Sequence, residues 1–231
     1  MKTSTRKIKP KSSPKAKVLI VDDHAVVRQG LKTLIEAEKD MAVCGEAGDA
    51  VGALLLVAKT KPDIVLTDIG MEGMSGLDLI KNLKTRHSNV AVLAISMYDE
   101  SVYAERVIRA GAKGYLMKKE SAPKVIEAIR KILSGKLFLS EAVSESILGQ
   151  VAGMASPNGG DLTNRLSDRE LEVFQMIGKG HKSSEIAESL NLGTKTVESY
   201  KEQIKIKLNL PNASALTQYA IEWVHGASSK A

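Results

Sequence analysis

Asp22 and Asp23, Asp68, Ser96 and Lys118 each stand at the end of a short apolar run: Val18–Val21, Ile64–Leu66, Val90–Ile95 and Gly114–Met117. Three carboxylates, a hydroxyl and an ammonium brought to one place suit phosphoryl chemistry. Crowded carboxylates repel one another without a cation. A hard divalent ion with oxygen ligands relieves that repulsion, and Mg²⁺ is the usual one beside phosphoryl groups. Asp68 would then be a nucleophile that carries phosphate. Lys118 would supply a point charge to that phosphate, and Ser96 a hydrogen-bond donor.

These side chains meet only if the four runs are strands of one sheet. Ile64–Leu66, bounded by Pro62 and Gly70, fits a parallel strand covered on both faces. In open α/β sheets ligands gather outside the carboxyl ends of the strands. From Lys17 to about Leu133 apolar strands alternate with helical patterns five times. That rhythm predicts an α/β fold with a five-stranded, doubly wound parallel sheet. Strands are expected near 17–22, 41–46, 63–67, 90–96 and 114–117, and helices near 25–38, 49–60, 75–86, 99–110 and 122–134. Gly48–Asp49 and Ser121 read as helix starts, Gly111 and Gly135 as stops. Asp23 could also cap the first helix.

The rhythm breaks after residue 135. A modest amphipathic helix is predicted over 140–154, followed by a flexible joint at Ala155–Gly160. The C-terminal part then reads as four helices and no strand. Ser167 and Glu170 form a capping box ahead of Leu171, Val173, Phe174 and Ile177. A short helix at 183–190, a turn at 191–194 and a longer helix over 194–208 with Lys195, Lys201, Lys205 and Lys207 make a helix-turn-helix layout. Residues 213–224 close the domain. The expected organisation is a disordered basic tail over 1–16, an α/β domain over 17–135, a linker over 136–165, an all-α four-helix domain over 166–226 and a tail over 227–231.

The chain has 231 residues, 43% hydrophobic and 26% charged, ordinary for globular domains with real cores. Its net charge of +6 comes from the start: residues 1–17 hold seven basic side chains and no acid, which leaves 26 Lys and Arg against 27 Asp and Glu. The high pI is therefore poor evidence for nucleic-acid binding. Residues 161–231 hold nine basic and nine acidic side chains, so any DNA binding must rest on placement and avidity. Cys44 is the single cysteine, which rules out an internal disulfide and suggests a reducing, cytoplasmic setting. No apolar run is long enough for a membrane span, and no secretory signal is visible.

Taken in order, these motifs resemble a two-component response regulator of the NarL/FixJ type, a receiver followed by a LuxR-type helix-turn-helix. The similarity covers roughly residues 17–225. Val21–His24 with Arg28–Leu31, Asp68–Met71 with Gly73–Leu77, Ala94–Ser96 and Gly111–Lys118 carry the receiver likeness. Leu171–Phe174, Glu185–Ala187, Thr196–Val197 and Lys207–Leu208 carry the LuxR likeness.

The resemblance implies that Asp68 takes phosphate from the phosphohistidine of a sensor histidine kinase. It implies a Mg²⁺ site of Asp22, Asp23, Asp68 and the Gly70 carbonyl, with Asp23 the more direct ligand. It makes Ser96 and Tyr115 the switch pair, Tyr115 turning inward as Ser96 turns to the phosphate, and makes Lys118 the phosphate's counter-charge. DNA contacts fall on Lys195, Thr196, Glu198, Ser199, Lys201, Glu202 and Lys205. The implied partners are promoter DNA read by a homodimer formed on phosphorylation, with RNA polymerase among those such a regulator could meet and no membrane. The implied role is a transcription regulator, not a turnover enzyme.

The sequence departs from the family pattern in four places: Glu72 where proline is usual, Lys119 after Lys118, Tyr200 where histidine is frequent, and Ala213 after Asn212. Glu72 would add a negative charge near the acidic pocket. Two rivals are weaker. Haloacid-dehalogenase phosphatases place a second aspartate two residues after the nucleophile, where this chain has Gly70. A phosphorylation-independent regulator would not need Asp22, Asp23, Asp68, Ser96 and Lys118 together.

Overall fold

The computed structural model describes residues 14–152 and 162–228. Five parallel strands, β1 (Ala16–Val21), β2 (Met41–Ala47), β3 (Ile64–Thr67), β4 (Ala91–Ser96) and β5 (Gly114–Met117), form one sheet in the order β2-β1-β3-β4-β5. Successive side chains point to opposite faces of a strand, and the core divides accordingly. Leu19, Val21, Val65, Val92 and Ala94 join one apolar cluster, while Val18, Ile20, Ile64, Leu66, Leu93 and Ile95 join the other. Each strand therefore reads as a continuous apolar run because both its faces are covered.

The covering helices are α1 (Ala25–Glu36), α2 (Ala50–Thr60), α3 (Gly76–Arg86), α4 (Glu100–Ala110) and α5 (Ala122–Leu133). Ser75 and Asp99 cap α3 and α4 by accepting backbone N–H bonds. Asp49 caps α2, Ser121 stands at the N-cap of α5, and Gly111 at φ 124° ends α4. Asp23 is not a cap. His24 stands at the N-cap of α1 and makes no side-chain bond there, because the Asp23 side chain belongs to the acidic cluster instead. β1 is followed by β2 on one side and paired with β3 on the other, so the strand order reverses between β1 and β3. A crevice opens at such a reversal outside the strand ends. Val21 is level with Thr67, which puts Asp22 and Asp68 across from each other at its mouth.

After α5 the chain passes along the outer edge of β5, where Phe138 exchanges backbone hydrogen bonds with Lys113 and Tyr115. That contact closes a sheet edge that would otherwise be open to pairing. Helix α6 (Glu141–Val151) follows, shorter than the 140–154 expected. The joint expected at 155–160 and the tail at 1–13 lie outside the described residues.

The C-terminal domain opens with a single 3-10 turn at Leu162–Arg165, which the sequence did not announce. Four helices follow: α7 (Asp168–Gly178), α8 (Ser183–Ser189), α9 (Thr194–Leu208) and α10 (Ala213–Ser228), the last running into the stretch expected as a tail. Both halves of the Ser167–Glu170 capping box are present. Phe174 packs against Tyr219 and, edge-on, against Trp223 of α10. No helix of the described residues is long and apolar enough to cross a membrane.

Candidate functional site

Asp68 follows β3 and is 6% exposed. Its Oδ1 accepts the backbone N–H of Ile69 at 2.7 Å and of Gly70 at 3.3 Å. Its Oδ2 accepts from Lys118 Nζ at 2.6 Å, and the same ammonium lies 2.7 Å from Asp22 Oδ2. Lys118, carried at the end of β5, thus closes the gap between carboxylates from β1 and β3. Burial pulls its pKa down, but the hydrogen bonds and charges of Asp22 and Asp68 outweigh that and hold it above the ordinary lysine value. The ammonium stays charged.

Asp23 completes the cluster. One oxygen or nitrogen atom from each of Asp22, Asp23, His24 and Asp68 can be chosen so that all lie within 4.8 Å of one another. Asp23 Oδ1 is buried and has no hydrogen-bond donor, although His24 Nδ1 lies 2.6 Å away. A buried carboxylate oxygen without a donor is what a cation would satisfy, and three carboxylates are the oxygen-rich set that suits Mg²⁺ over softer metals. The acidic pocket of Asp22, Asp23 and Asp68 is compatible with Mg²⁺. Glu72 is exposed and outside the cluster.

Ser96 and Tyr115 are each 1% exposed. Ser96 Oγ accepts from the N–H of Tyr98 at 3.4 Å and lies in hydrogen-bond contact with the Tyr115 hydroxyl. Tyr115 points inward, and its hydroxyl donates to the Tyr98 carbonyl at 2.7 Å. Burial, with a smaller opposing effect of Ser96, raises the Tyr115 hydroxyl far above the usual tyrosine pKa, so it remains a donor. Tyr98 in turn lies on the loop after Asp68: a β-carbon at Gly70 would meet Tyr98 Oη at 2.9 Å and ring carbons at 3.2 Å.

The C-terminal domain packs directly on this region through α7. Asp168, Glu172, Gln175 and the C-cap residue Lys179 form one stripe along that helix. Asp168 pairs with Lys81 of α3 at 2.7 Å and with Arg106 of α4 at 3.0 Å. Arg106 also donates to the carbonyls of Thr163 and Leu166. Tyr103 Oη donates to Gln175 Oε1 at 2.9 Å, in a buried bond between residues 72 apart. Lys179 Nζ stands 5.3 Å from the centre of the Tyr98 ring. Arg169 donates to the Gly73 carbonyl in the loop after Asp68 and to the Leu190 carbonyl in the turn before α9. Burial raises the Glu172 carboxyl against the opposing pull of Arg169.

Helix α9 buries Val197, Ile204 and Leu208 and turns Lys195, Thr196, Glu198, Ser199 and Glu202 to solvent, with Lys201 and Lys205 half-buried. Glu198 accepts from Ser183 Oγ at 2.5 Å and from Lys201 Nζ at 3.1 Å. Those contacts, Ser183 first, hold its carboxyl below the usual range against a burial effect in the other direction. A fully outward row of side chains on the second helix of a helix-turn-helix is the surface that enters a major groove.

The comparisons with known proteins decide the family. The response regulator receiver domain model matches residues 18–130, and the bacterial regulatory protein luxR family model matches residues 164–220. The chain belongs to the NarL/FixJ response regulators. The oxygen regulatory protein NreC of Staphylococcus carnosus (strain TM300) is 35% identical over 210 residues, covering 89% of this chain and 97% of that protein. NreC of Staphylococcus aureus (strain JH9) is 34% identical over the same shares. Among solved structures, the Salmonella typhimurium RcsB response regulator matches with TM-score 0.68 and 25% identity, covering 91% of this chain and 98% of that one. RcsB of Salmonella enterica serovar Typhimurium, bound to promoter rprA in the presence of phosphomimetic BeF3⁻, matches with TM-score 0.63 and 26% identity over 89% and 98%. The receiver and the LuxR-type helix-turn-helix make this response regulator a DNA-binding transcription regulator.

Asp22, Asp23, Asp68, Ser96, Tyr115 and Lys118 come together at this one end of the sheet, whereas Glu72 does not join them. Five residues that matter to the surroundings of the site were not foreseen: Tyr103, Arg106, Arg169, Gln175 and Lys179. Their contacts join segments far apart in the chain, and no local pattern announces such pairs.

Proposed function

We propose that this regulator accepts a phosphoryl group on Asp68 from a sensor histidine kinase, in a Mg²⁺-dependent reaction, and thereby controls sequence-specific DNA binding and transcription. The supporting observation is the Asp68 carboxylate held between Lys118 and the acidic pair at the β1/β3 crevice. A carboxylate oxygen of Asp68 attacks the phosphorus of a phosphohistidine; the P–N bond breaks, imidazole leaves, and an acyl phosphate forms. Asp22, Asp23, Asp68 and the Gly70 carbonyl would hold Mg²⁺, which when bound supplies positive charge to the phosphoryl oxygens. Lys118 shifts its hydrogen bond from Asp68 to the new phosphoryl group, and Ser96 turns its hydroxyl to donate to it. Tyr115 holds its inward place behind Ser96 through the Tyr98 carbonyl. New contacts at the phosphate favour that packing, which is a population shift.

On the output side, a dimer of helix-turn-helix domains reads an inverted repeat with α9 in the groove. Lysine mostly holds phosphate, whereas glutamate can accept from a cytosine amino group. Lys201→Ala is expected to weaken specific and random DNA alike, lowering the salt slope of binding by about one phosphate contact. Glu198→Ala is expected to change the ratio between the two, since it removes a base reader and frees Lys201. Fluorescence anisotropy on a specific and a scrambled duplex over a salt series measures both. Equal loss on the two duplexes for Glu198→Ala would contradict its role as a reader.

A further inference from the structure

We propose that Gln175, although it lies in the DNA-binding domain, is a positioning residue for the Asp68 site, acting through Tyr103 and Tyr98. The proposal rests on Asp68 being the phosphoryl acceptor and adds the sign of the coupling: docking of α7 helps the site to hold phosphate.

Four contacts carry it. Gln175 Oε1 fixes the Tyr103 hydroxyl at 2.9 Å inside the interface. Tyr103 stacks on Tyr98, ring centres 4.7 Å apart and planes within 19°. Tyr98 lies on Gly70 with its ring edge, gives its N–H to Ser96 Oγ at 3.4 Å and takes the Tyr115 hydroxyl on its carbonyl at 2.7 Å. Lys179, from the end of α7, stands over the same ring. Tyr98 therefore touches the acceptor loop with its ring and the Ser96 and Tyr115 hydroxyls with its backbone, and α7 reaches that ring both through Tyr103 and through Lys179.

The inward Tyr115 and the docked α7 occur in one arrangement, so the two are compatible, and each favours Tyr98 in the same place. Fixing Tyr98 pre-organises Ser96 and the Gly70 loop, the groups that meet an incoming phosphoryl group, and lowers the ordering cost of binding it. Coupling of this kind is reciprocal, so a phosphoryl group on Asp68 tightens docking. Docking in this form leaves the outward face of α9 open, with Lys195, Thr196, Glu198, Ser199 and Glu202 exposed. Contact between the domains is then compatible with DNA reading.

The test uses the full chain with Mg²⁺ and fluoroberyllate, a phosphoryl mimic, titrated by calorimetry. Gln175→Ala and Tyr103→Phe are each expected to need about five- to tenfold more fluoroberyllate, the scale of ordinary coupling between sites, and the double variant no more than either alone. On a Tyr115→Phe background Gln175→Ala should lose most of its effect, which a merely structural role would not produce. Arg106→Ala loosens docking without removing a hydrogen bond of the tyrosine path and should act in the same direction, so a folding defect in one variant does not decide the matter. Scattering should show the wild type as compact with fluoroberyllate as without. Unchanged or tighter binding by the variants, or expansion of the wild type on binding, overturns the proposal. No binding by the wild type, matching an Asp68→Asn control, would instead remove the phosphoacceptor role itself and this coupling with it.

Discussion

Gly76→Ala is expected to be among the most damaging single substitutions in the receiver. A β-carbon at Gly76 would fall 1.8 Å from the carbonyl oxygen of Asp68 and 2.8 Å from both the Asp68 carbonyl carbon and the Ile69 Cα. All three are backbone atoms, so no side-chain rotation relieves the clash. The backbone N–H of Gly76 also donates to the Ile69 carbonyl at 3.0 Å, which ties the start of α3 to the loop that carries Asp68. Either α3 moves away or the loop does. Overpacking of this kind costs about 3 kcal/mol or more, which lowers the melting temperature by on the order of 10 °C in a domain of this size. The loop shift would also take Asp68 off its bonds to Ile69 and Gly70, so phosphoryl acceptance should fall even in the folded fraction. Calorimetric melting together with fluoroberyllate titration separates the two losses. A melting temperature within 2 °C or so of wild type would show that the loop yields easily, and that the tight approach does not define the site.

Lys118→Ala should act on chemistry as well as on folding. Its ammonium is the one cation lying between Asp22 and Asp68 among the described residues, at 2.7 and 2.6 Å. Without it two buried carboxylates face each other, and a buried ion pair that loses one partner typically costs about 3–5 kcal/mol. Mg²⁺ can replace part of that charge. The thermal stabilisation by Mg²⁺ should therefore be larger in Lys118→Ala than in the wild type, since a ligand stabilises by its affinity for the folded state. Phosphoryl acceptance should nevertheless drop by about 10²–10³, the usual effect of removing one positioned donor to a developing charge. Initial rates with a small phosphodonor at saturating Mg²⁺ measure this. A variant that labels at the wild-type rate would show that Lys118 only neutralises the carboxylates and plays no part at the phosphoryl group.

The receiver site was legible in the sequence because its residues sit at strand ends. An apolar run covered on both faces must be a strand of a sheet with helices on both sides, and the residue after it must emerge at the strand end, which brings Asp22, Asp68, Ser96 and Lys118 together. Within the α/β domain element limits were read to within a residue or two, with β1 at 16–21 against 17–22 and α5 at 122–133 against 122–134, whereas α6 ends three residues early and α10 runs four residues past the expected end. The Asp23 cap was misjudged because local preference favours aspartate at a helix start, whereas here the acidic cluster claims the side chain.

The domain interface was not legible at all. Glu172 and Gln175 are polar residues on a surface-type helix, yet they are only 6% and 7% exposed, because α4 and the loops around it cover them. Their burial depends on a partner surface 70 residues away, and periodicity within α7 carries no trace of it. Gly76 is similar: its glycine is demanded by the Asp68 carbonyl above it, a contact set by how α3 meets β3.

The most direct measurement is phosphate incorporation from a small phosphodonor such as acetyl phosphate, comparing wild type with Asp68→Asn, with and without Mg²⁺. The expected result is label on the wild type only, lost on chelation of Mg²⁺, and removable by mild base as an acyl phosphate requires. Equal label on Asp68→Asn, or none on either protein while specific DNA binding stays intact, would contradict the assignment of Asp68 as the switch.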